Sequence, residues 1–224
     1  MMQLMLKPLP PSLEGYYGTN KTTMPSRFLF GHPALFDAIQ RVIASGLQLA
    51  YSDIFRSADA SLARRREFEK MGGPQLAKRP GESPHNYGFS VDVVVDRALK
   101  KNGLTKVQLD DKLAACGLWC HRKDHVLGNE DWHYNALGPM PEAHQWLAAS
   151  AQSSSTSRAV EARINAVYGA QWTLTPAEVT AGLAALKYGS VKAFQEDWDL
   201  DVDGVAGAKT QRLLAYLTAQ IKIV

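Results

Sequence analysis

The sequence predicts an α+β domain, built on a small antiparallel sheet with helices, followed by a small all-helical domain of three helices. Three observations lead to this prediction. Helix-like and strand-like patterns interleave before residue 148 without a regular β-α-β period. A run of small polar residues then interrupts the chain at 148–157. Beyond it, apolar residues recur only at helical spacing.

Length and composition exclude several classes of protein. The 224 residues are 46% hydrophobic and 21% charged, which excludes a coiled coil, a fibre and a disordered chain. No apolar run approaches the roughly 20 residues that span a bilayer, so we expect no membrane insertion. The net charge of +3 is too small to predict a nucleic-acid partner. We read no export signal at the N-terminus and therefore expect synthesis in the cytoplasm.

The polar run at 148–157 predicts a linker, because such residues bury little surface and order poorly. It separates a larger part, 25–147, from a smaller one, 158–224, and both are long enough to fold. The proline-rich beginning of the chain, 1–24, is predicted to be an extended arm. The two cysteines, Cys116 and Cys120, do not indicate a disulfide framework in a chain of this length. We expect a monomer.

In the first part, apolar residues at helical spacing predict a helix over 35–45. Alternation predicts a strand over 47–52, and a helix with a basic face follows until the glycines and proline at 72–74. The β-branched run at 91–95 is the most strand-like segment. The remaining elements predicted there are a helix at 105–116 and short strands at 118–120 and 132–134.

In the second part, helical patterns cover 159–168, 190–198 and 208–221. Between them, Thr175 and Glu178 form a capping box that predicts the start of another helix. These patterns predict a helical bundle.

Two segments place metal-binding residue types near predicted strands. His85 lies in a turn and Asp92 in the β-branched run, where a carboxylate is costly to bury unless it is paired or binds a cation. His133 lies in a later strand. Two histidines and an aspartate suit a catalytic zinc site whose fourth position holds water. Glu130 or Asp131 could take a proton from that water, and strand alternation puts Asp131 on the face of His133.

These residues resemble the zinc peptidases of the D-alanyl-D-alanine carboxypeptidase (VanY/VanX) family, which includes phage L-alanyl-D-glutamate endopeptidases. The family pattern Ser-x-His-x-x-Gly-x-Ala-x-Asp matches at Ser83, His85, Gly88 and Asp92, with Ser90 in place of the usual alanine. The downstream Glu-x-x-His pattern matches at Glu130 and His133, with Trp132 before the histidine. The resemblance spans about residues 25–140.

The resemblance implies that one zinc is bound by His85, Asp92 and His133, and that Glu130 is the general base. It also implies that Arg56, after an early strand, stabilises substrate and the developing oxyanion. Asp131 is then a carboxylate that orients His133, or the alternative base. Tyr87, Trp132 and Ser83 are candidates for substrate binding, although aromatic residues next to a core often only pack.

Two other metal sites are weaker. Cys116, Cys120, His121 and His125 crowd together, but their spacing lacks the long loop of a zinc finger. The Asp-x-Asp-x-Asp-Gly segment at 199–204 copies the start of a calcium loop, but Thr210 occupies the position of the required glutamate.

That same segment better resembles the three-helix peptidoglycan-binding domain. The matching residues are Val191, Lys192, Phe194, Gln195, Val202, Asp203, Gly204, Gly207 and Thr210. Phe194 and Val202 are most simply core residues. Both resemblances imply bacterial peptidoglycan as the partner. Together they predict a phage endolysin that hydrolyses a stem-peptide bond, L-alanyl-D-glutamate, and reaches the wall after release from the host cytoplasm. The alternatives are a bacterial D-alanyl-D-alanine carboxypeptidase and a non-catalytic wall-binding protein.

Overall fold

The structure is a computed structural model that describes residues 2–9, 30–72, 78–120, 131–138 and 162–224. In chain order its elements are β1 (Gln3–Pro8), β2 (Phe30–Gly31), α1 (Pro33–Ala44), β3 (Tyr51–Asp53), α2 (Ala58–Lys70), β4 (Ser90–Val93), α3 (Val95–Asn102), α4 (Lys106–Ala115), β5 (Trp119–Cys120), β6 (His133–Asn135), α5 (162–168), α6 (Pro176–Ala185), α7 (Val191–Asp197), α8 (Ala208–Leu217) and β7 (Gln220–Ile223). Short 3₁₀ turns lie at Pro84–Tyr87 and Gly169–Gln171.

A four-stranded antiparallel sheet in the order β3-β4-β6-β5 organises the first part of the chain. Val91 and Val93 of β4 and Tyr134 of β6 are buried on one face, in a cluster with residues of α1 and α4. Because side chains alternate along a strand, Ser90 and Asp92 point to the opposite face. The predicted small antiparallel sheet with helices is confirmed for this part.

The beginning of the chain differs from the predicted arm over the residues that the structure describes. β1 is the middle strand of a second sheet, antiparallel to β2 and parallel to β7. Met2, Leu4 and Leu6 are buried, whereas Met5 is exposed. This two-residue period is the pattern of a strand with one buried face, and it is visible in the sequence.

Over the described residues the second part has four helices, α5 to α8, at the predicted positions, and not the three of the predicted domain. The capping box at the start of α6 is confirmed. Thr175 accepts a hydrogen bond from the Glu178 amide at 3.3 Å, and the Glu178 carboxylate accepts one from the Thr175 amide at 2.8 Å. The prediction that this part is all-helical is wrong at its end. α8 stops at Leu217, and β7 follows because its backbone pairs with β1.

The helices of the second part share a hydrophobic core with the first part. The members of this cluster that precede the predicted linker are Met2, Leu4, Ala58, Leu62, Tyr87 and Phe89, and they meet buried residues of α5 to α8. The predicted linker at 148–157 lies outside the described residues, so the domain boundaries stay predictions. No helix in the described ranges is long and apolar enough to cross a membrane.

Candidate metal centre

The 3₁₀ turn before β4 is built by its own sequence. The Ser83 hydroxyl accepts a hydrogen bond from the His85 amide, and Pro84 occupies the first helical position, where a missing N–H costs nothing. Gly88 ends the turn at φ +71°, and a Cβ there would lie 2.7 Å from the backbone nitrogen of His32. Only glycine fits such a position without strain. The turn therefore presents His85 in one defined place.

Asn86 ties this turn to its surroundings, and sequence reasoning missed it. The Asn86 side chain is completely buried, and its Oδ1 accepts a hydrogen bond from the Gly81 amide at 3.0 Å. Its Nδ2 donates to the backbone oxygen of Arg56 at 2.7 Å and to the Ser61 hydroxyl at 3.0 Å. A buried amide with these partners joins the turn to the segment after β3 and to α2. The only indication of Asn86 in the sequence was its position between the motif residues His85 and Gly88.

The tautomer of His85 follows from a contact with the backbone. The Nδ1 atom lies 2.7 Å from the carbonyl oxygen of Ile54, which can only accept a hydrogen bond. Nδ1 therefore carries the proton and donates it. The lone pair of Nε2 then faces Asp92 and His133, as in histidines that bind metals while their other nitrogen is held by a carbonyl.

Asp92 and His133 come together because they are direct cross-strand partners. The register of β4 and β6 pairs these two residues, and such neighbours on one face have Cβ atoms about 5 Å apart. The Asp92 Oδ1 lies 3.0 Å from His133 Nδ1 and 3.2 Å from His85 Nε2. The two imidazole nitrogens are 3.1 Å apart. The structure thus brings the three predicted ligands together.

This triangle of donor atoms fits zinc. Ligands at roughly 2.0–2.1 Å from a tetrahedral zinc are about 3.3 Å from one another, and the three separations here are 3.0, 3.1 and 3.2 Å. Two neutral nitrogens and one carboxylate are the donor types of catalytic zinc sites, which leave a fourth position for water. Within the described ranges, this is the group of three such side chains whose ligand atoms converge.

The electrostatics of the cluster favour a bound cation. Burial is the largest single influence on His85 and lowers its pKa, but the charge and hydrogen bond of Asp92, together with the charge of Asp53, raise the net pKa above its ordinary value. Burial alone would raise the pKa of Asp92, but His85 and His133 hold it well below its usual range. Asp92 is therefore a buried anion with imidazoles on two sides, which a metal ion would neutralise.

The choice between Glu130 and Asp131 is not decided by the strand. Glu130 lies outside the described residues. Asp131 and Trp132 lie in a turn, and β6 begins only at His133, so strand alternation does not extend to Asp131. The argument that placed Asp131 on the face of His133 therefore fails, and both carboxylates stay candidates for the base.

Arg56 lies beside the centre, as predicted for a residue after an early strand. Its amide donates a hydrogen bond to the His85 carbonyl at 3.1 Å, and its charge acts on the His85 ring. Asp53 at the end of β3 forms an ion pair with the guanidinium. This pair orients the Arg56 side chain.

Of the three predicted substrate-binding residues, two are buried and one is exposed. Tyr87 is 0% exposed and packs in the core, so it offers no surface to a substrate, and that prediction is wrong. Ser83 is buried and caps the turn. Trp132 is 39% exposed in the turn before His133 and stays a candidate.

The weaker metal sites gain no support from the described residues. Cys116 is buried in the core, and His121 and His125 lie outside the described residues. In the calcium-like segment, Asp199 pairs with Arg65, and Asp201 pairs with Arg79.

The residues that resemble a peptidoglycan-binding domain mainly hold one another. Gln195 donates to Asp203 at 2.8 Å and to Thr210 at 3.1 Å, and it accepts a hydrogen bond from the Gly204 amide at 2.8 Å. Phe194 is buried, as predicted. Val202 is 45% exposed, so its assignment to the core is wrong. These motif residues therefore maintain a turn.

The solved structures that this chain resembles include two peptidases. The LdcB LD-carboxypeptidase, described with the molecular basis of its peptidoglycan recognition, is 16% identical at a TM-score of 0.41, over 60% of this chain and 75% of that one. The D,D-pentapeptidase VanY of a VanB-type vancomycin resistance cassette, in complex with Zn(II), is 17% identical at a TM-score of 0.35, over 70% of this chain and 94% of that one. No protein-family model and no curated protein matches the chain. Similarity at this level leaves its activity to be inferred from its own residues.

Proposed function

We propose that this protein is a zinc-dependent peptidase that hydrolyses a peptide bond in the stem peptides of bacterial peptidoglycan. The observation that supports it most is the buried triangle of His85, Asp92 and His133, whose donor atoms lie 3.0 to 3.2 Å apart. The two-part motif around these residues, shared with the D-alanyl-D-alanine carboxypeptidase family, supports the substrate class. We propose L-alanyl-D-glutamate as the bond cleaved, in a phage endolysin.

Each residue has a role in this chemistry. When bound, zinc supplies a water whose pKa is lowered to about 7 and polarises the carbonyl under attack. The Nε2 atom of His85 faces Asp92 and His133, because the Ile54 carbonyl holds its other ring nitrogen. Glu130 would act as the general base toward the attacking water and as the general acid toward the leaving amine. The Arg56 guanidinium, held by Asp53, stabilises negative charge on the substrate as the bond breaks.

The second part of the proposal concerns the helices after residue 158. Their resemblance to a peptidoglycan-binding domain supports a role in contact with the wall. Because the motif residues Gln195, Asp203 and Thr210 bond to one another, the wall contact is assigned to exposed residues around them.

The test is digestion of purified sacculi, with the products identified by mass spectrometry. Zinc-loaded protein should release fragments, protein stripped by a chelator should not, and added zinc should restore the activity. His133→Ala should hold no zinc and cleave nothing. The matched control is His32→Asn, which removes an imidazole outside the cluster but keeps a side chain that can cap α1.

The products also separate the alternatives. A new amino group on D-glutamate identifies the L-alanyl-D-glutamate bond, whereas release of terminal D-alanine identifies a carboxypeptidase. A zinc-loaded protein that binds sacculi and cuts no bond would contradict the proposed peptidase and favour a wall-binding protein.

A further inference from the structure

We propose that the C-terminal helices form part of the metal centre's support, and that Tyr216 of α8 is a positioning residue for the turn that carries His85. This inference rests on the proposed metal site. It differs from the picture of an anchor tethered to an independent enzyme, because it gives the last 60 or so residues a role in holding a metal ligand.

The first observation is a buried hydrogen bond between distant parts of the chain. The Tyr216 hydroxyl donates to the backbone oxygen of Asn86 at 2.9 Å, across a sequence separation of 130 residues. Asn86 directly follows His85. The bond therefore attaches α8 to the backbone of the turn, next to the predicted ligand.

The second observation is an aromatic cluster around Tyr87, the next residue of the same turn. Its ring stacks on Tyr168 at a centroid distance of 5.4 Å and meets Tyr216 edge-on at 5.4 Å. Trp172 lies 5.9 Å away at a tilted angle. All three neighbours belong to the C-terminal region, and offset or edge-on contacts of this kind are favourable beyond the area they bury. Tyr87 thus packs this turn against the C-terminal region.

Further contacts join the same two parts of the chain. β7 pairs with β1 over four residues, and Arg65 and Arg79 bind Asp199 and Asp201 of the segment after α7. The Arg66 side chain also donates to the Asp197 backbone oxygen at 3.1 Å. These contacts fix the C-terminal region against the first part of the chain, which a freely tethered module would not show.

The effect on the metal follows from preorganisation. The apparent dissociation constant for zinc rises in proportion as the fraction of molecules with all three ligands in place falls. Loss of the Tyr216 hydroxyl leaves a buried carbonyl without this donor and loosens the turn at the residue after His85. A typical intramolecular hydrogen bond changes the equilibrium between the ordered and the loosened turn about fivefold, so the dissociation constant for zinc rises by at most about fivefold.

The test compares two tyrosine-to-phenylalanine variants of the full chain. Tyr216→Phe keeps the ring and removes only the hydroxyl. Tyr188→Phe is the control, because the same atom is removed from a partly buried hydroxyl that accepts a hydrogen bond from Trp198 at 3.1 Å within the helical region. Zinc dissociation constants are measured by chelator competition at a temperature where circular dichroism shows both variants folded. We expect zinc binding to weaken by about two- to fivefold for Tyr216→Phe and by less than twofold for Tyr188→Phe.

A second measurement needs no metal. In metal-free protein, Tyr216→Phe should speed amide hydrogen exchange in residues 81–93, and Tyr188→Phe should not. Unchanged exchange there and unchanged zinc affinity in Tyr216→Phe would overturn this inference alone. A wild-type protein that binds no zinc would overturn the proposed metal site and this inference with it.

Discussion

Replacement of Ser90 by alanine should stabilise this protein, although most substitutions in a core destabilise. Ser90 is 0% exposed, and its Oγ makes no hydrogen bond to any residue in the part of the chain that the structure describes. A buried hydroxyl without a partner costs about 1–3 kcal/mol. Once the lost contacts of one oxygen atom are subtracted, we expect a net gain of about 1 kcal/mol in the free energy of unfolding.

Ser61 provides the matched control for the same substitution. It is as buried as Ser90, but its Oγ accepts a hydrogen bond from the Asn86 side chain at 3.0 Å. Ser61→Ala should therefore lower the free energy of unfolding by about 1 kcal/mol. The two variants carry the same change of atoms in similar burial, and the expected effects have opposite signs.

Thermal unfolding of the metal-free proteins measures both effects. For a chain of this length, 1 kcal/mol corresponds to about 2–4 °C in the melting temperature, so the two variants should differ by about 4–8 °C. Zinc content should be unchanged in Ser90→Ala, because Ser90 is not among the converging ligand atoms. If Ser90→Ala melts lower than the wild type, as Ser61→Ala does, the reasoning from an unpartnered hydroxyl is wrong.

Two further predictions concern the chemistry of the site. Glu130→Gln should keep zinc and lose about two to four orders of magnitude in the rate of sacculus digestion, as expected for a general acid–base residue, whereas Asp131→Asn should lose less. A zinc-loaded but inactive Asp131→Asn beside an active Glu130→Gln would reverse that assignment. Zinc affinity should increase with pH through the raised pKa of His85, because below that pKa a proton occupies the ligand and must be released. Calorimetry in buffers of different ionisation enthalpy measures that proton release, and an affinity independent of pH between about 5.5 and 8 would contradict it.

Much of the candidate site was predictable because its residues lie in locally readable segments. Ser83 and Gly88 bound a turn by their capping and left-handed preferences, and the β-branched residues around Asp92 indicate a strand. Two histidines and an aspartate near these segments then suggested the three zinc ligands, and the resemblance to a known family implied the same set. Local patterns could not choose between Glu130 and Asp131, because the choice depends on where the turn before β6 ends.

The roles of the aromatic residues were less predictable. Tyr87 follows a predicted metal ligand by two positions, which suggested a substrate groove, yet Tyr168, Trp172 and Tyr216 cover its ring. Whether an aromatic side chain packs or binds depends on which distant segments cover it. A sequence motif does not contain that information.

The sequence by itself determined the class of the first part, most of the helix positions and the three residue types that suit a zinc ion. It could do so because helix caps, strand alternation and glycine turns depend on neighbours within a few positions. Only the tertiary structure decided that β1 pairs with β7 and that α8 reaches the turn of His85. These contacts join the two ends of the chain through backbone pairing and buried packing, and the cost of closing so long a loop is recovered only when the whole core assembles.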